Sequence, residues 1–472
     1  MILYFVTFIF ISHYFNCVYS VEESTENNTL GIGFVILSQS NTYHQKLAEL
    51  LKLNILNQTS NLNSNIHVEV FKNHEDFDDI LGNWIIWPLF SKLSKLQNVK
   101  WIFFLEDHSH VNVRQVIRII STYDPSQNVF AGYALKDVHP TIIHHFAATE
   151  GDSVIVYPHF SAGFFMSLSL IKKLVKGKCK NCHFSIDPKY ELAKFIWDNF
   201  AVKLVHEPEL CLKKDSDACA TWITDDFLDC GTAISSKEIS IGVKTCKKFH
   251  KDRVKVLLNT WAHDVKNLLM FSDTEDKTIP TIKVNVKNVA SGHCEKTLSI
   301  MKFYIDNNMS FNWLVIADDD TLLSVMKRNF ELLMWVFQRL RKLLACYDSS
   351  ENVVLGERYG YNVWGKFGYN YPTGGSGMIF SRPALEKLVS FCQCPSTDSP
   401  DDMIIGACLK TLKIDMTHLP FLHQARPIDY SPEFLAPFKH TSFHKHWMID
   451  PHVVYKEWLQ ESDQSFIPHS EL

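Results

Sequence analysis

The sequence predicts an α/β fold built twice in tandem, and three observations carry that prediction. The chain has 472 residues, 46% of them apolar and 21% charged, which suits a globular protein of two or three domains, each with its own core. Apolar runs of strand length alternate with helical patterns along most of it, as in domains with a largely parallel sheet. A set of landmarks also recurs after about 210 residues, the mark of an internal duplication. Trp101-Ile102-Phe103-Phe104-Leu105-Glu106-Asp107-His108 aligns with Trp313-Leu314-Val315-Ile316-Ala317-Asp318-Asp319-Asp320. Tyr157-Pro158-His159-Phe160-Ser161-Ala162-Gly163 aligns with Tyr371-Pro372-Thr373-Gly374-Gly375-Ser376-Gly377, at separations of 56 and 58 residues from the respective tryptophans. Asp187-Pro188-Lys189-Tyr190 then aligns with Ser399-Pro400-Asp401-Asp402.

Taken in order, residues 1–20 are apolar and end in small residues at Val18 and Ser20, which reads as a secretory signal peptide without its basic start. The first copy spans 30–235 and opens on a strand at Gly33–Leu37. The second spans 236–463 and opens on a strand at Ile239–Val243. A tail, 464–472, ends in His469-Ser470-Glu471-Leu472, which resembles the Lys-Asp-Glu-Leu class of endoplasmic reticulum retrieval signal and would be read by the retrieval receptor. No later apolar run is long enough to span a membrane stably. The net charge of −5 shows no basic excess for nucleic acid. Sequons at Asn27, Asn57 and Asn308 fit a luminal chain. So do eleven cysteines after loss of Cys17, an odd number that leaves at least one thiol unpaired. Local disulfides are expected at Cys179/Cys182 and Cys392/Cys394, with Cys408 as the free thiol.

The copies differ where chemistry would sit. Asp318-Asp319-Asp320 stands where the first copy has Glu106-Asp107-His108, Asp401-Asp402 where it has Lys189-Tyr190, and the turn Thr373-Gly374-Gly375 where it has His159-Phe160-Ser161. The first copy is therefore read as non-catalytic. Successive strand residues face opposite ways, so only alternate aspartates of the triplet converge. Clustered carboxylates are costly without a cation, and oxygen ligands suit Mg²⁺ or Mn²⁺. The alternatives are a solvated acidic turn or a helix starting at Asp320-Thr321. Asp401 and Asp402 open an apolar helical run, where acids favour the macrodipole or serve as a general base.

Several of these segments together resemble Fringe-type β-1,3-glycosyltransferases. They are Val243-Lys244-Thr245-Cys246 through Arg253, Leu257-Leu258-Asn259-Thr260-Trp261, Phe271-Ser272-Asp273, the aspartate triplet, the glycine turn and Pro400-Asp401-Asp402. The match covers most of 236–430. It implies two tandem GT-A-like, Rossmann-like domains, the first degenerate. With the duplication, leader and tail, and with Ser442-Phe443-His444-Lys445-His446-Trp447, the chain is similar to the luminal branch of that family. That similarity implies inverting transfer of glucose from UDP-glucose to O-linked fucose on thrombospondin type 1 repeats, in the endoplasmic reticulum lumen. It implies Asp318 and Asp319 at the metal and nucleotide-sugar, with Mn²⁺ (or Mg²⁺) on Asp320, Asp318 and His423. Asp402 would be the base, with Asp401 as runner-up, and Lys244, Thr245, Arg253, Gly374 and Gly375 would face the donor. Fringe-like N-acetylglucosaminyl or galactosyl transfer, or a non-catalytic luminal lectin or folding factor, are the alternatives.

Overall fold

Apolar strands bury both faces only if helices cover both, and the two halves do this in the same way. The computed structural model describes residues 30–60, 62, 65–137, 155–179, 183–223, 230–263, 265–324 and 339–460. The leader, Asn27, Cys182 and the C-terminal tetrapeptide lie outside the described residues.

In the first half, Ile66–Lys72, Leu30–Leu37, Trp101–Glu106, Phe164–Ser167, Phe130–Gly132 and Val205–His206 lie side by side in one sheet. In the second, Leu268–Ser272, Ile239–Lys244, Trp313–Asp318, Met378–Ser381, Val354–Gly356 and Met416–His418 repeat that order, with Thr281–Lys283 added at the edge. The registers correspond. Trp101 lies opposite Ile32 and Ser167, and Trp313 lies opposite Ile239 and Ser381. Trp313, Val315 and Ala317 enter one core while Leu314 and Ile316 enter another on the opposite face. Trp101, Phe103 and Leu105 are divided from Ile102 and Phe104 in the same manner. Full burial of each such side chain contributes about 1.5–3 kcal/mol.

The sheets are less parallel than the sequence suggests. Met378–Ser381 runs antiparallel to Trp313–Asp318, and Phe164–Ser167 does the same beside Trp101–Glu106. In the second half the glycine turn lies at the carboxyl end of Trp313–Asp318, and the strand leaving it runs back down the sheet.

The halves share structure. Phe184–Ser185 of the first adds an antiparallel strand to Arg358–Tyr361 of the second. His44 Nε2 lies 3.1 Å from Tyr347 Oη, and Trp84 Nε1 donates to Asn370 Oδ1 at 2.9 Å.

Two expectations about cysteine are corrected. Cys392 pairs with Cys408 and Cys394 with Cys294, so the Cys-x-Cys pair is not a local bridge and Cys408 is not free. A folded-back loop brings each cysteine a different partner. Cys211–Cys219 and Cys230–Cys346 are also bridged, Cys179 is disulfide-bonded, and buried Cys246 is the free thiol among the described residues. Among the described residues, no helix is long and apolar enough to cross a membrane.

Candidate active site

Trp313–Asp318 stays apolar while it crosses the core and turns acidic where it leaves the sheet. The pleat then divides the triplet. Asp319 turns to one side, where Thr245 Oγ1 donates to it at 2.8 Å and Arg253 Nη1 at 3.0 Å. Asp318 and Asp320 converge on His444, whose Nε2 lies 3.8 Å from Asp318 Oδ2 and 3.1 Å from Asp320 Oδ1. One ligand atom from each of these three residues lies within 4.8 Å of the others. Two carboxylate oxygens and an imidazole suit Mn²⁺ or Mg²⁺ better than a thiophilic metal.

His444 reaches the acids through strand pairing. Asp320-Thr321 starts no helix. Thr321–Leu323 is a strand, antiparallel to Ser442–His444, with Thr321 directly opposite His444. His444 Nδ1 lies 3.0 Å from the Gln424 carbonyl, which can only accept, so Nδ1 carries a proton. Nε2 faces the acids, and although burial opposes the charge, Asp320 and Asp318 raise the His444 pKa, so without a cation Nε2 donates to Asp320. The Gln424 side-chain oxygen accepts from the Gly375 and Ser376 amides at 3.0 and 3.2 Å, so one residue fixes both the histidine and the turn.

His423, expected as the metal ligand, does not join this cluster. It lies one strand over, opposite Phe443, and stacks on that ring at 4.7 Å. His440 Nε2 donates to the Leu435 carbonyl, so its Nδ1 accepts from His423 Nε2 at 2.8 Å and that nitrogen has no lone pair to offer. The signal for His444 was present in the Ser442–Trp447 segment. What the sequence could not supply was its pairing with the strand after the triplet.

The glycines play unequal parts. A Cβ on Gly375 would stand 2.3 Å from His444 Nδ1, so only glycine lets the imidazole pack there. A Cβ on Gly374 would come no nearer than 3.6 Å to Lys244 Nζ and 3.7 Å to Asp401 Oδ1.

Lys244 ends the first strand of this half and is buried, with its ammonium 2.9 Å from Asp318 Oδ1 and 2.6 Å from Asp401 Oδ2. It ties the triplet to the start of Asp401–Leu412. Thr297 also donates to Asp401, so that buried carboxylate is already engaged. Burial works against its charge, but Lys244 holds Asp401 below the usual carboxylate range. Asp402, one residue on, is pushed up to about 7 by burial and by the Asp401 charge. Burial likewise lifts Asp319 to about 6, with Asp320 adding to the rise. Asp320 falls to about 2, because His444 and Arg253 outweigh its burial. The site thus holds two raised carboxyls, Asp402 the nearer to neutrality and Asp319 held by Thr245 and Arg253, beside carboxylates that stay charged, the separation acid–base chemistry needs.

In the first half the equivalent strand end neutralises itself. Asp107 Oδ2 lies 2.9 Å from His44 Nδ1, and Glu106 lies 3.3 Å from His108 Nε2 and accepts from Ser161. Lys189 sits 3.0 Å from Asp187.

A family model described as Fringe-like matches residues 38–195 and 234–465, one stretch in each half. The beta-1,3-glucosyltransferase of Mus musculus is 42% identical over 441 residues, covering 92% of this chain and 87% of its own. That of Homo sapiens is 41% identical over 442 residues, covering 92% and 86%. The beta-1,3-N-acetylglucosaminyltransferase lunatic fringe of Gallus gallus is 26% identical over 223 residues, covering 40% of this chain and 58% of its own.

Proposed function

The chain belongs to the Fringe-like family and is a β-1,3-glycosyltransferase, and from that premise we propose that residues 236–463 transfer glucose from UDP-glucose to O-linked fucose on thrombospondin type 1 repeats. Residues 30–235 serve as a non-catalytic companion. The observation that carries this reading is the acid–histidine cluster tied through Lys244 to the Asp401–Asp402 helix start.

Asp402 is the base. Asp401 is engaged by Lys244 and Thr297, whereas Asp402, poised near 7, is free to exchange a proton at working pH. It takes the proton from the acceptor's 3-hydroxyl as that oxygen bonds to the anomeric carbon of glucose. The bond from that carbon to the UDP oxygen breaks on the opposite face, so the configuration inverts. Asp318, Asp320 and His444 would hold Mn²⁺ or Mg²⁺, and the bound ion would offset charge on the departing diphosphate. Lys244 and Arg253 keep the acids in place and add positive charge toward the leaving group.

The disulfides support an oxidising compartment, in keeping with the endoplasmic reticulum lumen, as the place where the chain works. The test is a UDP-sugar panel against a fucosylated thrombospondin repeat, with Mn²⁺ or with EDTA. Glucose transfer that needs the metal is expected. Preference for N-acetylglucosamine or galactose, or turnover indifferent to EDTA, would overturn the donor or metal assignment.

A further inference from the structure

A second recess lies between the halves, at the strand ends where the first copy would have had its own site. Trp84, Glu106 and Lys189 line it from the first half, and Glu357, Arg358 and Tyr359 from the second.

Its chemistry differs from that of the acidic cluster. Two buried polar atoms of lining residues have no partner, a donor at Arg358 Nε and an acceptor at Asn73 Oδ1. Buried polar atoms are costly to leave unpaired, so two in one cavity point to a ligand that both donates and accepts. A hydroxyl does both. The charged groups are already matched: Lys189 with Asp187 at 3.0 Å, Asp107 with His44 at 2.9 Å and Arg358 Nη1 with Gln39 at 3.3 Å, while burial lifts the Glu357 carboxyl to about 8. With Glu106 added, acids outnumber fixed cations on the wall, which disfavours a phosphate or nucleotide. His108 occupies the position of Asp320, which removes the carboxylate a divalent cation would need. Tyr359, Tyr430 and Phe434 supply flat apolar walls of the kind against which the C–H face of a pyranose packs.

We propose that this cavity, roofed by both halves, binds a neutral saccharide of one or two rings. The proposal rests on the cavity and not on the donor or base assigned to the other half, so either can fail without the other.

Binding of methyl α-L-fucopyranoside, methyl β-D-glucopyranoside and inorganic phosphate to the full chain in EDTA, with and without excess UDP, tests it, by calorimetry and saturation-transfer NMR. Saturable binding of one glycoside is expected, weakened about tenfold by Asn73→Leu, which removes the orphan acceptor, and similarly by Arg358→Met. The thermal midpoint checks that each variant is folded, and the second variant serves if the first does not fold. No saturable glycoside binding, binding abolished by UDP, binding of phosphate instead, or affinities unchanged in the folded variants would each overturn it.

Discussion

Two strand ends built on the same sheet order have opposite electrostatic fates. At Trp101–Glu106 the acids are met by histidines, with His44 and His108 closing on Asp107. At Trp313–Asp318 the acids are met by Lys244, Arg253 and His444, and two of them still converge with an imidazole on one point. The turn behind each follows suit. Gly375 leaves room for His444, whereas Ser161 stands at the equivalent place and donates to Glu106. A duplicated sheet therefore keeps its packing code while the few residues beyond its strands decide whether charge is settled internally or left for a ligand.

The sharpest way to break this comparison is to remove the group that only the second half has. Asp402→Asn is expected to lower kcat by about 10²–10⁴ with little change in KM, since a base acts in the transition state. Turnover within a few-fold of the parent would end the assignment. Gly375→Ala comes next. The added methyl displaces His444 from Asp318 and Asp320, so the Mn²⁺ concentration for half-maximal rate should rise about 10–100-fold, as for disturbed outer-shell partners. Gly374→Ala should do far less, because its neighbours stand at ordinary contact distance.

A smaller effect is read in pH. Asp402 acts when deprotonated and its carboxyl sits near 7, so kcat/KM should climb about tenfold per unit below that value and level off above it. A profile flat from pH 5 to 8, a range set well outside any ordinary carboxylate, would place the base elsewhere.

These contrasts were unevenly legible in the sequence. The alternation of strands and helices is local, so periodicity reveals it, and an acid triplet after four apolar residues announces a strand end. His444 was another matter. It meets Asp320 across 124 residues through a strand pair of three residues a side, whose own composition carries no register. His423 looked equivalent in sequence but lies one strand over, against Phe443, with its Nε2 turned to His440. The pairing of Cys294 with Cys394 and of Cys392 with Cys408 is likewise a fact of the folded loop, since spacing favours the nearest cysteine. The cavity between the halves was invisible for the same reason, because its walls come from segments that meet only after folding.

The gentlest test concerns the half to which no base is assigned. Asp107 is buried, and although burial works against its charge, His44 and His108 hold its carboxyl at about 2 against an ordinary 3.8. A folded-state value below the unfolded one means that the contribution is present in full above the unfolded value and is lost as pH falls through the folded one. Linkage makes it about 2 kcal/mol at neutral pH, fading between roughly pH 4 and pH 2. Asp107→Asn should therefore lower the thermal midpoint at pH 7 by a few degrees, on the order of 2–4 °C. At pH 2–3 the gap between variant and parent should narrow, and turnover at saturating donor should stay within a few-fold. A loss of turnover matching that of Asp402→Asn would mean that the first half's acid takes part in the chemistry, and the division of labour between the copies would fall with it.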